Sequence, residues 1–420
     1  MGRTDAVTFA DPGVRAVARC DALRSPPYSE AQDQLTRRYL TAAHAASLEA
    51  IRAWMIATGM SVRLDGAANL VGRYEGAASH APALLIGSHI DTVRNAGRYD
   101  GALGVMLAID CVQALADASR RLPFAVEVIA FGDEEGSRFP VSMTCSRAVA
   151  GTVEPGVLEM CDAEGVSLAQ ARVAFDARLP ELCDAARRPG DVLGYLEAHI
   201  EQGPVLESEG LAIGAVTEIA AQKRLAARIT GTAGHAGTTP MGLRRDPGPA
   251  AAEAILLVER ICGASEGVVG TVGRIAALPG SFNVIPGAVE FSIDVRAPTS
   301  SARDRALDTI MAGIEAAVAR RGLTVSFVLL QDLPESPCDT GLTGLLVEAI
   351  RSVGVTPRRL PSGAGHDAMI MASLCPMAML FIRCHGGVSH NPAESVEPAD
   401  AALAARAMLA FIDALAERRA

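Results

Sequence analysis

The chain has 420 residues, half of them hydrophobic and only 20% charged, with a mean hydropathy of +0.24. That much apolar side chain excludes a disordered protein, and the length favours two domains or one large domain with an insertion. Acidic residues outnumber basic ones by 48 to 38, a net charge of −10 that is the wrong sign for gripping a phosphate backbone, so nucleic acid is not an expected partner. Lys223 is the only lysine and no glycine-rich loop precedes it, which removes Walker-type nucleotide binding and Schiff-base chemistry.

Residues 1–24 are broken by Arg3, Asp5, Asp11 and Arg15 and carry no signal-peptide run. Residues 32–59 have helical periodicity ending at Gly59. Buried strands are expected at 83–87 and 124–132, with a helix at 104–116 between them, the pattern of a parallel or mixed sheet covered on both faces. From residue 214 the character changes. Alternating or β-branched segments at 214–219, 224–230, 267–278, 288–295 and 323–330, with helices at 249–261 and 302–320, make an inserted α+β layer. Helices at 340–353 and 399–418 and a strand at 377–383 return to the first pattern. The expected architecture is an α/β catalytic domain with a mixed sheet in two parts, 1–213 and 331–420, interrupted by an α+β domain at 214–330. The longest apolar stretch, 369–382, is short and contains Pro376, so no membrane span is expected. Nine cysteines without a CxxC pair read as thiols of a reducing, cytoplasmic compartment.

Chemistry concentrates in a few blocks. GSHIDTVRNAGRYDG (87–101) leaves a buried strand. In it His89 and Asp91 stand two apart, on the same side of an extended chain, so that Asp91 is able to buttress His89 as a partner behind a metal ligand. FGDEEGSRF (131–139) follows the next strand with Asp133, Glu134 and Glu135 adjacent, an arrangement that needs cations or protons to offset repulsion. One glutamate then suits a metal and another a general base. YLEAHIEQGPVLE (195–207), AGHAGTTPMGLRRD (233–246), SFNVIPG (281–287), DVRAP (294–298), SGAGHDAM (362–369) and CHGGVSHNPAE (384–394) complete the set. Any one of these is explained by a turn, a solvated strand end or a surface ion pair, and His44 and His80 are read as packed or solvated histidines. Together they place six of the eight histidines beside glycines or carboxylates, which suggests a metal site of N and O ligands. No HExxH is present, against a one-helix zinc protease.

In this order the blocks resemble the allantoate amidohydrolase and N-carbamoyl-L-amino-acid hydrolase family, within the wider dinuclear aminoacylase and carboxypeptidase group. The resemblance implies two divalent metal ions per subunit, manganese first among Mn, Zn, Co and Ni. Asp100 would bridge them, with Glu135 and His390 on one and His89 and His199 on the other. It implies Glu134 as general base, Asp91 as its catalytic companion, and His235 as a stabiliser of the tetrahedral oxyanion. Gln202, His235, Asn283, Arg296, Gly365 and His366 would contact substrate, Arg296 by forking onto a carboxylate. The implied reaction is hydrolysis of the ureido group of allantoate to ammonia, carbon dioxide and ureidoglycine, as part of purine-ureide breakdown. N-carbamoyl-L-amino-acid hydrolysis is the alternative, and a non-catalytic scaffold is the alternative of another class. The expected partners are a small anionic ureido substrate and a second copy of the chain, joined through the inserted domain acting as lid and dimerisation module, with no membrane.

Overall fold

The apolar runs form the centre of a nine-stranded mixed sheet in the structure, a computed structural model that describes residues 12–419. Its central strands lie side by side as Ala125–Phe131, Ala83–His89, Val192–Ile200 and Met377–Ile382, and all neighbouring pairs among them are parallel. Every residue of the first two is buried, as strands covered on both faces must be. Antiparallel strands continue the sheet on either side, Leu70–Tyr74 and Ser61–Leu64 beyond one end and Ile213–Ile219 beyond the other. Helix Ala102–Asp117 packs on the sheet with Leu103, Val105, Met106, Leu107 and Ile109 buried. Helices Pro12–Ala22, Thr340–Ser352 and Pro398–Glu417 complete that aliphatic core.

The chain divides into this unit, which runs to Thr217 and resumes at Pro337, and a second unit, Glu218–Ser336. In the second, antiparallel strands lie in the order Ile275–Leu278, Ala288–Ala297, Ala221–Thr230, Thr324–Leu333, with Val269–Thr271 beside Ala288–Ala297. Helices Pro247–Gly263 and Ser300–Arg320 start at the caps Asp246 and Thr299 and pack against this sheet through Val258, Ile310 and Ile314. The fold class is therefore the expected one, an α/β unit with a mixed sheet interrupted by an α+β insertion.

Three sequence expectations are corrected. Residues 214–219 belong to the large sheet, where Ala215 pairs with Leu380, so the insertion begins at Glu218 and ends at Ser336 rather than spanning 214–330. A strand's own alternation does not reveal which sheet supplies its partner. The helix read over 32–59 is Ala42–Ala57, capped by Thr41. The preceding segment is held extended instead, by a Leu35–Ala96 bridge and by Arg37 N donating to Thr92 Oγ1. The 267–278 strand is two short strands, Val269–Thr271 and Ile275–Leu278. No helix among the described residues is long and apolar enough to cross a membrane.

Candidate metal centre and active site

Parallel neighbours end at the same edge of a sheet, so side chains at their C-terminal ends converge. His89 is the last residue of its strand and pairs in register with Phe131, from which the chain runs on to Glu134 and Glu135. His199 lies one residue before the end of the third strand. Asp100 arrives from the loop before helix Ala102–Asp117. The next residue, Gly101, has φ +66°, and a Cβ there would lie 2.4 Å from His89 Nε2, so only glycine lets the helix start against the imidazole.

Asp100 is the hub. Its Oδ1 is 3.1 Å from His199 Nε2 and 3.8 Å from His89 Nε2, and its Oδ2 is 3.1 Å from His390 Nε2, which lies 3.4 Å from Glu135 Oε1. Four overlapping groups have donor atoms all within 4.8 Å of one another: His89, Asp100 and His199; Asp100, Glu135 and His390; His89, Glu134 and Glu135; and, behind His199, Glu197, His199 and His366. The tautomers fit cations here. His89 Nδ1 lies 3.0 Å from the Asp91 carbonyl and His199 Nδ1 2.9 Å from the Ile200 carbonyl, so each Nδ1–H donates outward and each Nε2 is turned toward Asp100. Those two Nε2 atoms are 3.4 Å apart. Ring nitrogens facing each other beside a carboxylate need a cation or a proton between them, and a divalent cation can take both as ligands.

Protein charges alone leave the acids unbalanced. Burial holds the Glu134 carboxyl well above the usual range and pushes Glu135 up to about 7, with the Asp100 charge adding to the latter. Asp100 is held well below that range by the imidazoles of His199 and His390, against the opposing pull of burial. His390 rises to about 9, chiefly through Asp100.

Asp91 supports both arms. Its carbonyl faces His89, while its carboxylate accepts from Glu134 N at 3.1 Å and Glu135 N at 3.2 Å. The nearest approach to His89 is thus the main chain rather than the expected carboxylate, whose Oδ1 lies at 3.5 Å. Asp133 is buried and enters none of the donor groups found among the described residues. Gln202 Nε2 donates to Asp100 Oδ2 at 3.1 Å and to Ser389 Oγ at 3.0 Å. The buried His366 ring is 4.4 Å from His199, with Nε2 2.8 Å from Ser362 Oγ. His385 stands apart, exposed and paired with Glu207 at 3.0 Å.

Residues that the sequence reading did not select also shape the site. Glu197 is fully buried behind His199 and accepts from Ser88 Oγ, Tyr195 OH and Ala368 N. Arg37 is buried and donates to the Ile90 carbonyl, between His89 and Asp91. Glu197 stands two before His199, so the period of a strand over 192–200 would have flagged it. Nothing local marks Arg37.

In the inserted unit, strand Gly234–His235 pairs with Val284–Ile285, and Ala236 N donates to the Asn283 carbonyl, bringing His235 and Asn283 together. Gly237 N donates to His235 Nδ1 at 3.1 Å, which leaves the proton of the neutral ring on Nε2, free to donate outward. Arg296 forks onto Asp294 through Nε and Nη2 at 3.0 and 3.1 Å, and Arg224 Nε shares that carboxylate at 2.9 Å. Two guanidinium groups on one carboxylate leave this patch positive.

Residues 85–414 match the model of the peptidase family M20/M25/M40. The chain is 40% identical to an N-carbamoyl-L-amino acid amidohydrolase of Geobacillus stearothermophilus over 91% of its own length and 94% of the relative's. It is 38% identical to an allantoate deiminase of Arabidopsis thaliana over 95% and 81%. The crystal structure of AtUAH in complex with (S)-hydroxyglycine superposes with a TM-score of 0.85 at 31% identity, covering 97% of this chain and 98% of that one.

Proposed function

Given that this chain belongs to the M20/M25/M40 peptidase family and is a hydrolase of C–N bonds, we propose that it is an allantoate amidohydrolase. Two divalent cations, manganese by preference, would be held by His89 and His199 on one side and Glu135 and His390 on the other, with Asp100 available to both. The observation that carries this reading is the geometry around Asp100, whose two oxygens face different imidazoles 3.1 Å away.

When bound, the cations supply Lewis-acid polarisation of the ureido carbonyl and make water more acidic. The chain's own residues do the rest. Glu134, beside His89 and Glu135 and held by Asp91 through its backbone, takes a proton from the attacking water and returns it to the departing nitrogen. Water adds to the carbonyl carbon, the terminal C–N bond breaks with release of ammonia, and the remaining carbamate loses carbon dioxide to give ureidoglycine. His235, with its Nε2–H pointing outward, donates to the oxyanion. Asn283, Gln202 and the backbone at Gly365 orient the ureido groups, and Arg296 takes the substrate carboxylate on the patch it shares with Arg224. The small acid bound by AtUAH supports an anionic substrate.

The inserted unit serves as lid and dimerisation module. Strand Thr324–Leu333 pairs on one side and exposes Val328, Leu329 and Leu330, an edge that a second copy would cover. A cytoplasmic location is supported by nine cysteines without a disulfide.

A second reading, N-carbamoyl-L-amino-acid hydrolysis, is favoured by the identity to the Geobacillus relative. It keeps the same centre and changes only the side-chain pocket. Ammonia release by manganese-reconstituted protein, with allantoate against a panel of N-carbamoyl-L-amino acids at equal concentration, separates the two. Preference for allantoate is expected, and preference for a carbamoyl amino acid would transfer the assignment.

A further inference from the structure

Glu394 ends the sequence block that carries His390, yet none of the roles above uses it. Its side chain is fully buried. Oε1 accepts from the backbone N–H of Tyr99 at 2.7 Å and of Asp100 at 3.1 Å. Oε2 is 3.2 Å from the Ser389 hydroxyl, which also lies 2.9 Å from Asp100 Oδ2. The carboxylate occupies space that Gly97 leaves open, since a Cβ on residue 97 would meet its carbon at 2.1 Å and its oxygens at 2.3 and 2.4 Å. Gly97 has an ordinary backbone conformation, so close approach, rather than φ, requires a glycine there.

These contacts join two loops otherwise distant in sequence, the one that presents Asp100 and the one that presents His390. Glu394 N in turn donates to the Asn391 carbonyl, which ties the second loop back on itself. Asp100 is thereby held from two directions, its backbone by Glu394 and its Oδ2 by Ser389. A bridging carboxylate must present one oxygen to each side, and a small rotation of its backbone would take both oxygens off target.

We propose that Glu394 is a positioning residue of the metal centre: seated against Gly97 and linked through Ser389, it fixes the pose of Asp100 and thereby the affinity of both metal-binding halves. Glu394 touches the Asp100 backbone and not the reacting atoms, so its effect appears first in cation binding. The inference rests on the two-cation reading of Asp100 given above.

The test is calorimetric titration of chelator-dialysed full-length protein with manganese, for wild type, Glu394→Gln, Glu394→Ala, Gly97→Ala and Ser389→Ala, alongside the melting curve of each cation-free protein. Glutamine keeps an oxygen for both amides, so Glu394→Gln is expected to stay near wild-type affinity. Glu394→Ala and Gly97→Ala should weaken manganese binding about 10- to 100-fold, the usual effect of removing an outer partner of a metal ligand. Ser389→Ala should weaken it several-fold with an unchanged melting curve. Wild-type affinity in Glu394→Ala, or in Gly97→Ala, overturns the proposal, and so does a Glu394→Gln protein as weak as the alanine variant, because charge rather than backbone positioning would then be the cause. If Glu394→Ala does not fold, Ser389→Ala decides, and unchanged manganese binding there refutes the link. A wild-type protein that takes up no manganese sinks the metal-centre reading itself, a different failure from wild-type binding that the variants share equally.

Discussion

Acidification should strike this fold at His44. The residue lies on helix Ala42–Ala57 with no exposed surface, its ring 5.7 Å from Tyr39 and 5.4 Å from Phe175. Leu40 N donates to Nδ1 at 3.2 Å, so the buried ring is the neutral tautomer with its proton on Nε2, and a second proton would displace that bond. Burial depresses the pKa to about 3, with Asp91 pulling up and Arg37 down by smaller amounts. The unfolded chain protonates the same ring near pH 6.5. Because the folded value is the lower one, the unfolded state binds more protons between the two; the contribution is complete above pH 6.5 and is lost as pH falls toward 3. Linkage then gives a loss of about 2 kcal/mol at pH 5 and about 3 kcal/mol at pH 4. Glutamine keeps an acceptor near Leu40 N and does not titrate. Urea unfolding of wild type and His44→Gln at pH 7.5 and pH 5 should therefore show the stability gap between them shifting by about 2 kcal/mol in favour of the variant at the lower pH. Other acid-sensitive groups are common to both proteins and cancel in that difference. A gap independent of pH would refute a buried, neutral His44.

Three further outcomes test the site. Glu134→Gln should retain manganese while kcat falls by about 10²–10⁴-fold, the usual worth of a positioned acid–base group, measured as ammonia release alongside metal content; full activity would remove Glu134 from the proton path. Dialysis against a chelator should abolish turnover and lower the melting temperature, and manganese at 100 times its Kd should restore about 2.7 kcal/mol of stability, read from unfolding midpoints. Gly101→Ala should cost about 1–3 kcal/mol from a strained backbone (φ +66°, ψ −55°) that side chains avoid, and should also lose manganese affinity because the new Cβ collides with His89; calorimetry of the folded variant checks the second effect.

The parts of the molecule legible in sequence are those where one residue's requirement is local. The buried strands were visible because Ala83–His89 and Ala125–Phe131 are apolar on both faces. The histidines and acids at their ends were visible because glycines and neighbouring charges mark them off from a helix interior. The insertion's first strand is misassigned because the short apolar run of Ile213–Ile219 suits either sheet, and only its pairing with Met377–Ile382 tells which one owns it. An earlier helix, Leu168–Phe175, sits in a stretch without any motif. It starts at a capping box between Ser167 and Gln170, a signal that was present but short. Arg37 and Glu394 act through backbone groups far away in sequence, at Ile90 and at Tyr99 and Asp100. Neither periodicity nor spacing records such a partnership.

The charge balance around the strand ends explains why these distant residues matter. Asp91, Asp100, Asp133, Glu134, Glu197, Asp367 and Glu394 are all buried. They are coupled by proximity: Asp91 to Asp133, Asp367 to Glu134 and Glu197, and Asp100 to Glu394. Against them stand the buried guanidinium of Arg37, which donates to carbonyls and Ser47, and the few imidazoles at the strand ends, of which Asp100 raises His390 to about 9. Removing so many carboxylates from water is costly unless cations or protons compensate. Hydrogen bonds from Ser88, Tyr195 and backbone amides stabilise Glu197 and Asp91 as acceptors, but they bring no formal charge. Two divalent ions on Asp100 would supply that charge at the point where the carboxylates converge. Cation binding and the stability of this sheet edge are therefore one free-energy term, which is why chelation is expected to lower the melting temperature as well as stop turnover.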